Sequence, residues 1–186
     1  NTAANEAYPS LAADGTLYFA SSRLGGKGSS DIWRARWTGE HYAEPEDLGD
    51  IDTPAYESQP AIAPDQTYLV FASIGRADMM ATAGAPYPRA DLYVSFRTAS
   101  GWSKPRHFDA GVNSPFNELT PAFSPDGRWF YFASDRSFVS LPMRKRLSTE
   151  EYEAGLHGLL NGWGNIYRAP IAVIERLRPS AKAAQP

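Results

Sequence analysis

The chain reads as an all-β protein built as a β-propeller of four-stranded antiparallel blades, about three of them here with the last incomplete, plus a short helical insertion in the third blade. Three observations carry this. A phrase opening Glu-x-x-Pro and holding an aspartate eight residues after the glutamate recurs from Glu6, Glu57 and Glu118, and each copy runs into an aromatic strand that closes on Ala-Ser. After a loop of variable length a second piece follows: Asp31-Ile-Trp, Asp91-Leu-Tyr and Asn165-Ile-Tyr. The copies begin 51 and then 61 positions apart, in or just above the period of propeller blades and not of helical solenoids.

Each blade can be read element by element. The third copy is clearest: Thr120-Pro-Ala-Phe-Ser124 is a short strand, Pro125-Asp-Gly127 a turn, and Trp129-Phe-Tyr-Phe-Ala133 an aromatic strand buried on both faces. The turn aspartates Asp14, Asp65 and Asp126 can cap their own turns, and the glycine that follows is replaced once, by Gln66. The Asp31, Asp91 and Asn165 pieces are third strands. Fourth strands fall within 41–48 and 101–108, where Pro45 and Pro105 suit an outer edge because proline cannot donate to a ladder. These readings place blade 1 at about 5–50, blade 2 at 56–110 and blade 3 at 117–169, followed by a tail over 170–186 with no clear fourth strand. Within blade 3, Ser148 with Glu151 forms a capping signal, and Leu147, Tyr152, Leu156, Leu159 and Leu160 an apolar stripe, so a helix is expected within 147–160, packed on the rim. Tyr18/Phe19, Val70/Phe71 and Tyr131/Phe132 should supply the layers between sheets.

Composition narrows the function. With 186 residues, 42% hydrophobic and 13% aromatic, the chain can build a sizeable core. A formal charge of -3 with mixed signs offers no footprint for nucleic acid. No apolar run is long enough for a membrane span, and the absence of cysteine removes disulfides, thiolate metal sites and cysteine nucleophiles. His41, His107 and His157 lack a carboxylate at ligand spacing and read as rim residues; no catalytic residue, metal site or cofactor is expected. Gly25-Gly-Lys-Gly28 joins two strands and so fails the context of a phosphate cradle. The aspartate turns differ in spacing and placement from those of sialidase blades, and no nucleophilic serine elbow is present.

Leu48-Gly-Asp-Ile-Asp-Thr53, Ser124-Pro-Asp-Gly127, Ala133-Ser-Asp-Arg136 and Gly162-Trp-Gly-Asn-Ile-Tyr167 resemble the Pro-Asp type of WD-like repeat in the TolB-like propeller family of exported bacterial proteins. The resemblance implies a periplasmic or extracellular protein, a ring of about six blades, and binding of a protein or cell-envelope ligand in place of catalysis. Three blades do not close a ring, so a missing N-terminal half or another chain is expected to complete it. The alternative is part of a carbohydrate- or peptide-processing propeller enzyme whose catalytic groups lie in that missing half.

Two sets of site residues follow. Glu6, Glu57 and Glu118 fall near the axis, where they can hold a cation or, as the favoured reading, fix each blade by accepting from backbone or from Arg23 or Arg136. Strand direction puts the loops at 24–30, 74–90 and 137–164 on one face, which marks Met79, Met80, Tyr87, Arg89 and Tyr152 as binding candidates. Padding that only stabilises the rim is the open alternative.

Overall fold

The computed structural model describes residues 2–80, 89–139 and 146–180. Three separate antiparallel sheets stand side by side as an incomplete β-propeller. The first holds β1 (Glu6–Leu11), β2 (Leu17–Ser21), β3 (Asp31–Ala35) and β4 (Glu46–Asp47) in chain order. The second holds β5 (Tyr56–Ile62), β6 (Tyr68–Ile74) and β7 (Asp91–Thr98), with β8 (Gly101–Trp102) and β9 (Arg106–His107) both on the outer side of β7. The third holds β10 (Glu118–Phe123), β11 (Trp129–Ser134) and β12 (Asn165–Pro170).

Proline explains the broken outer strands. In the second sheet β8 and β9 flank Pro105, and in the first a Trp37–Tyr42 bridge and β4 flank Pro45, so each edge strand pairs only on either side of the residue without an N–H.

Period-two alternation fills the two cores between the sheets, and a third, smaller cluster is formed by Phe19, Trp33 and Ala35 of the first sheet. Along β6, Leu69 and Phe71 pack towards the first sheet with Tyr18, Ile32 and Ile51, whereas Tyr68, Val70 and Ala72 pack towards the third with Phe130 and Phe132. Strands buried on both faces read as continuous apolar runs, which is why these are the most hydrophobic stretches of the chain. The expected layer residues are buried apart from Tyr131, which is half-buried on the outer face of the third sheet.

All three tight turns are capped by their own aspartate, whose Oδ1 accepts from the amide two residues on: Thr16 at 2.9 Å, Thr67 at 3.1 Å and Arg128 at 3.1 Å. The next residue is left-handed in each, Gly15 (φ 83°), Gln66 (φ 58°) and Gly127 (φ 68°). Gln66 offsets its backbone cost across the junction, accepting from the Tyr18 hydroxyl at 2.8 Å and donating to Asp14 at 2.7 Å. Each first strand also carries a β-bulge before its proline, with Tyr8, Gln59 and Thr120 at φ 56°, 54° and 48°.

Two α-helices complete the fold among the described residues. The expected insertion helix is α1 (Thr149–Leu156), and its capping box is formed by Ser148 and Glu151. It differs from expectation in packing: none of its residues is buried, and its seat is the Phe138 ring, which lies against Gly155 and Tyr152. Val139 and Leu147 line a shallow cleft beside Tyr152 without covering the stripe. The stretch read as a tail without a fourth strand holds α2 (Ala172–Glu175), whose Ile174 is fully buried in the core between the second and third sheets.

Candidate functional site

At the end of the sheets where β2, β6 and β11 stop, one polar constellation is built three times. The Glu57 carboxylate is fully buried and accepts from Thr53 Oγ1 at 2.7 Å and Ser73 Oγ at 3.1 Å, with Arg76 at 2.9 Å. Glu118 accepts from the Ser114 amide (2.9 Å), Ser114 Oγ (2.6 Å), Ser134 Oγ (2.7 Å) and Arg136 Nε (3.4 Å). Glu6 takes the same partners in Thr2 and Arg23 but is less enclosed. Each arginine lies over two rings of its own sheet: Arg23 on Phe19 and Trp33, Arg76 on Phe71 and Tyr93, Arg136 on Phe132 and Tyr167. Burial pushes the Glu118 pKa up, against the opposing Ser114, Ser134 and Arg136 contacts. Hydrogen bonds from Thr2 hold that of Glu6 below its ordinary value.

The two junctions between sheets share a scaffold and differ in charge. The Ile32 amide donates to Asp52 Oδ1 at 2.8 Å, and the equivalent Leu92 amide donates to Asn113 Oδ1 at 2.8 Å. Register makes Asp47 opposite Trp33 the counterpart of His107 opposite Tyr93. In the second junction Asn113 Nδ2 donates to the Leu92 and Phe108 carbonyls, and His107 Nε2 lies 2.7 Å from Asp91. In the first junction both neutral or cationic partners are carboxylates. Asp31 (1% exposed), Asp52 (3%) and Glu57 (0%) bring oxygens within 4.8 Å of one another. Asp31 is held by the Lys27 and Gly28 amides, both at 3.0 Å. The Gly-rich loop is needed for that grip, since a Cβ on Gly26 would fall 2.0 Å from Asp31 Oδ2 and one on Gly28 2.0 Å from the Ala55 carbonyl. Asp52 Oδ2 and Asp47 Oδ2 are buried without a hydrogen-bond partner, as is Asp91 Oδ1 in the second junction. Burial, reinforced by Asp47, Asp31 and Glu57, pushes the Asp52 pKa up to about 8.

The loop candidates are mostly engaged within the protein. Met79 packs on the core between the first two sheets and its Sδ lies 2.8 Å from the Gly75 amide, while the Met80 amide donates to Asp91 at 2.6 Å. Arg89 pairs with Asp135 at 3.2 Å. Tyr152 is 49% exposed on α1, and Tyr87 lies outside the described residues. Met79 and Met80 thus engage the second sheet and its junction with the first, Arg89 the third sheet, and Tyr152 belongs to the insertion helix. His107, read from sequence as a rim residue without a carboxylate, is instead a half-buried partner of Asp91. The pair is 16 positions apart, so only the β7–β9 register reveals it.

No family model and no curated protein sequence matches the chain. Among solved structures it is similar to a Hadza microbial sialidase at 16% identity (TM-score 0.43, covering 69% of this chain and 32% of that one). It is also similar to the hydrazine synthase of Kuenenia stuttgartiensis at 15% identity (TM-score 0.45, 87% and 49%). A third is a TolB from Agrobacterium tumefaciens, at 15% identity (TM-score 0.37, 92% and 60%). The chain thus spans 32% to 60% of the length of these proteins.

Proposed function

We propose that the chain is part of a propeller scaffold of the TolB-like Pro-Asp repeat type, exported to the periplasm or cell exterior, that binds a protein or cell-envelope ligand through its loop-rich end without chemistry of its own. One observation supports this above the others. Apolar side chains on and after α1 are offered to solvent at that end: Tyr152 at 49%, Leu159 at 86%, Leu160 at 44% and Trp163 at 70% exposed. An exposed apolar cluster of this kind marks an interaction surface, whereas the opposite end carries the capped aspartate turns and a smaller exposed pair, Trp37 and Tyr42, packed edge-on against each other in the loop after β3. Among the described residues no helix is long and apolar enough to cross a membrane. Further blades, from the same protein or another chain, close the ring. The outer face of the first sheet suits such a neighbour, with a cleft of about 510 Å³ lined by Leu17, Phe19 and Arg23.

The test is site-directed photo-crosslinking in cell-envelope material. A photoreactive residue at Tyr152 or Trp163 should give one defined adduct, and one at Asp65 or Arg128 on the opposite end should give none. Equal labelling from both ends, or none from either, rejects the proposal.

A further inference from the structure

We infer that the first blade junction is a binding site for a divalent cation, Ca²⁺ by its donor chemistry, with Asp31, Asp52 and Glu57 as ligands. The three come from different elements, β3, the turn after β4 and β5, and their oxygens already lie within 4.8 Å of one another in a buried position. Oxygens around Ca²⁺ at about 2.3–2.6 Å can stand up to about 5 Å apart, and this set falls inside that limit. The donors are all carboxylate oxygens, the preference of a hard cation and not of zinc or copper.

The second junction has the same backbone with an amide and an imidazole in place of two carboxylates, and among the described residues its one unpartnered carboxylate oxygen is Asp91 Oδ1. There the Asp52 position is Asn113, whose Nδ2 meets the Leu92 and Phe108 carbonyls, and the Asp47 position is His107, which meets Asp91. Replacing an amide donor by a carboxylate leaves Asp52 Oδ2 buried, 3% exposed as a residue, and without a hydrogen-bond partner. Asp47 adds a fourth carboxylate nearby, and its Oδ2 is also unpartnered. One counter-charge reaches the cluster, Arg76, which pairs with Glu57 at 2.9 Å and also meets Ser73 Oγ and the Ile51 carbonyl, while Lys27 Nζ sits on the Gly49 carbonyl at 2.6 Å; one cation thus faces Asp31, Asp47, Asp52 and Glu57. Buried carboxylates in excess of their counter-charges are stabilised by a metal ion.

The experiment is calorimetric titration of the whole chain with Ca²⁺ after chelator treatment, paired with thermal unfolding with and without the ion. Wild type should bind saturably and melt higher with Ca²⁺. Asp52→Asn restores the arrangement of the second junction, so it should fold and lose affinity by more than about tenfold, the order seen when a metal site loses a supporting group. Asn113→Asp should leave Ca²⁺ affinity at the first junction unchanged. Absence of saturable binding by wild type overturns the inference, as does wild-type affinity in Asp52→Asn. So does an Asp52→Asn variant that is merely more stable while wild type ignores Ca²⁺, since that result assigns a proton and not a metal to the cluster.

Discussion

Truncating Glu118 tests whether the recurring glutamate fastens a blade to its neighbour. Its oxygens face two donors that cannot reverse, the Ser114 amide at 2.9 Å and Arg136 Nε at 3.4 Å, and two hydroxyls that can, Ser114 Oγ and Ser134 Oγ. In Glu118→Gln the amide oxygen can keep the Ser114 amide while the new NH₂ turns towards the two hydroxyls, which rotate to accept it. The remaining loss is the long Arg136 contact, so the cost is about 1–2 kcal/mol. Glu118→Ala strands all four donors around a fully buried void and leaves Arg136, 19% exposed, without its carboxylate, at a cost of about 3–5 kcal/mol. For a chain of this length that is a fall in melting temperature of about 6–20 °C, against about 2–8 °C for the glutamine. Urea unfolding at constant m-value measures both. Alanine and glutamine variants of equal stability, or an alanine variant within about 1 kcal/mol of wild type, would show that the glutamate fastens nothing.

Because burial raises the pKa of Glu118, the folded protein holds this proton more tightly than the unfolded chain, and stability from this group is full below its ordinary value of 4.5 and declines as pH rises towards the raised one. Urea midpoints across that interval should therefore fall more steeply for wild type than for Glu118→Gln; parallel profiles refute it. Ile174→Ala empties a fully buried position between the second and third sheets and should cost about 2–5 kcal/mol in the same assay, where a change below about 1 kcal/mol would mean that α2 does not brace the last sheet. Thr120 is β-branched at φ 48°, so Thr120→Gly should raise stability by about 1 kcal/mol, and a lowered melting point would show that the bulge carries no strain.

The repeats made the sheets legible because a strand buried on both faces must be an unbroken apolar run, and an aspartate turn needs its own residue type at a fixed place. The capping box at Ser148 was legible for the same local reason. What lay hidden depends on register between distant segments. Asp31 and Asp52 stand 21 positions apart, and nothing local says that Asp52 and Asn113 occupy one structural position. Aligning the phrase Asp52-Thr-Pro with Asn113-Ser-Pro would have shown the exchange of amide for carboxylate. The short α2 was missed because only four residues are helical and its single buried residue sets no periodicity. Loop position alone marks Met79 and Arg89 as binding candidates and does not report that Met79 packs on the core or that Arg89 pairs with Asp135.

The bulges before Pro9, Pro60 and Pro121 set one backbone shape under three unrelated side chains, Tyr8, Gln59 and Thr120. Neighbouring bulges also touch, since Gln59 Oε1 accepts from the Thr120 amide at 2.6 Å. Conformation at these positions is governed by the ladder irregularity and the following imino acid, while the cores lie on the sheet faces behind them. The row is therefore a strip where the side chain can differ from blade to blade while the packing between sheets is left alone, with Gln59 set apart by its bond to the next blade.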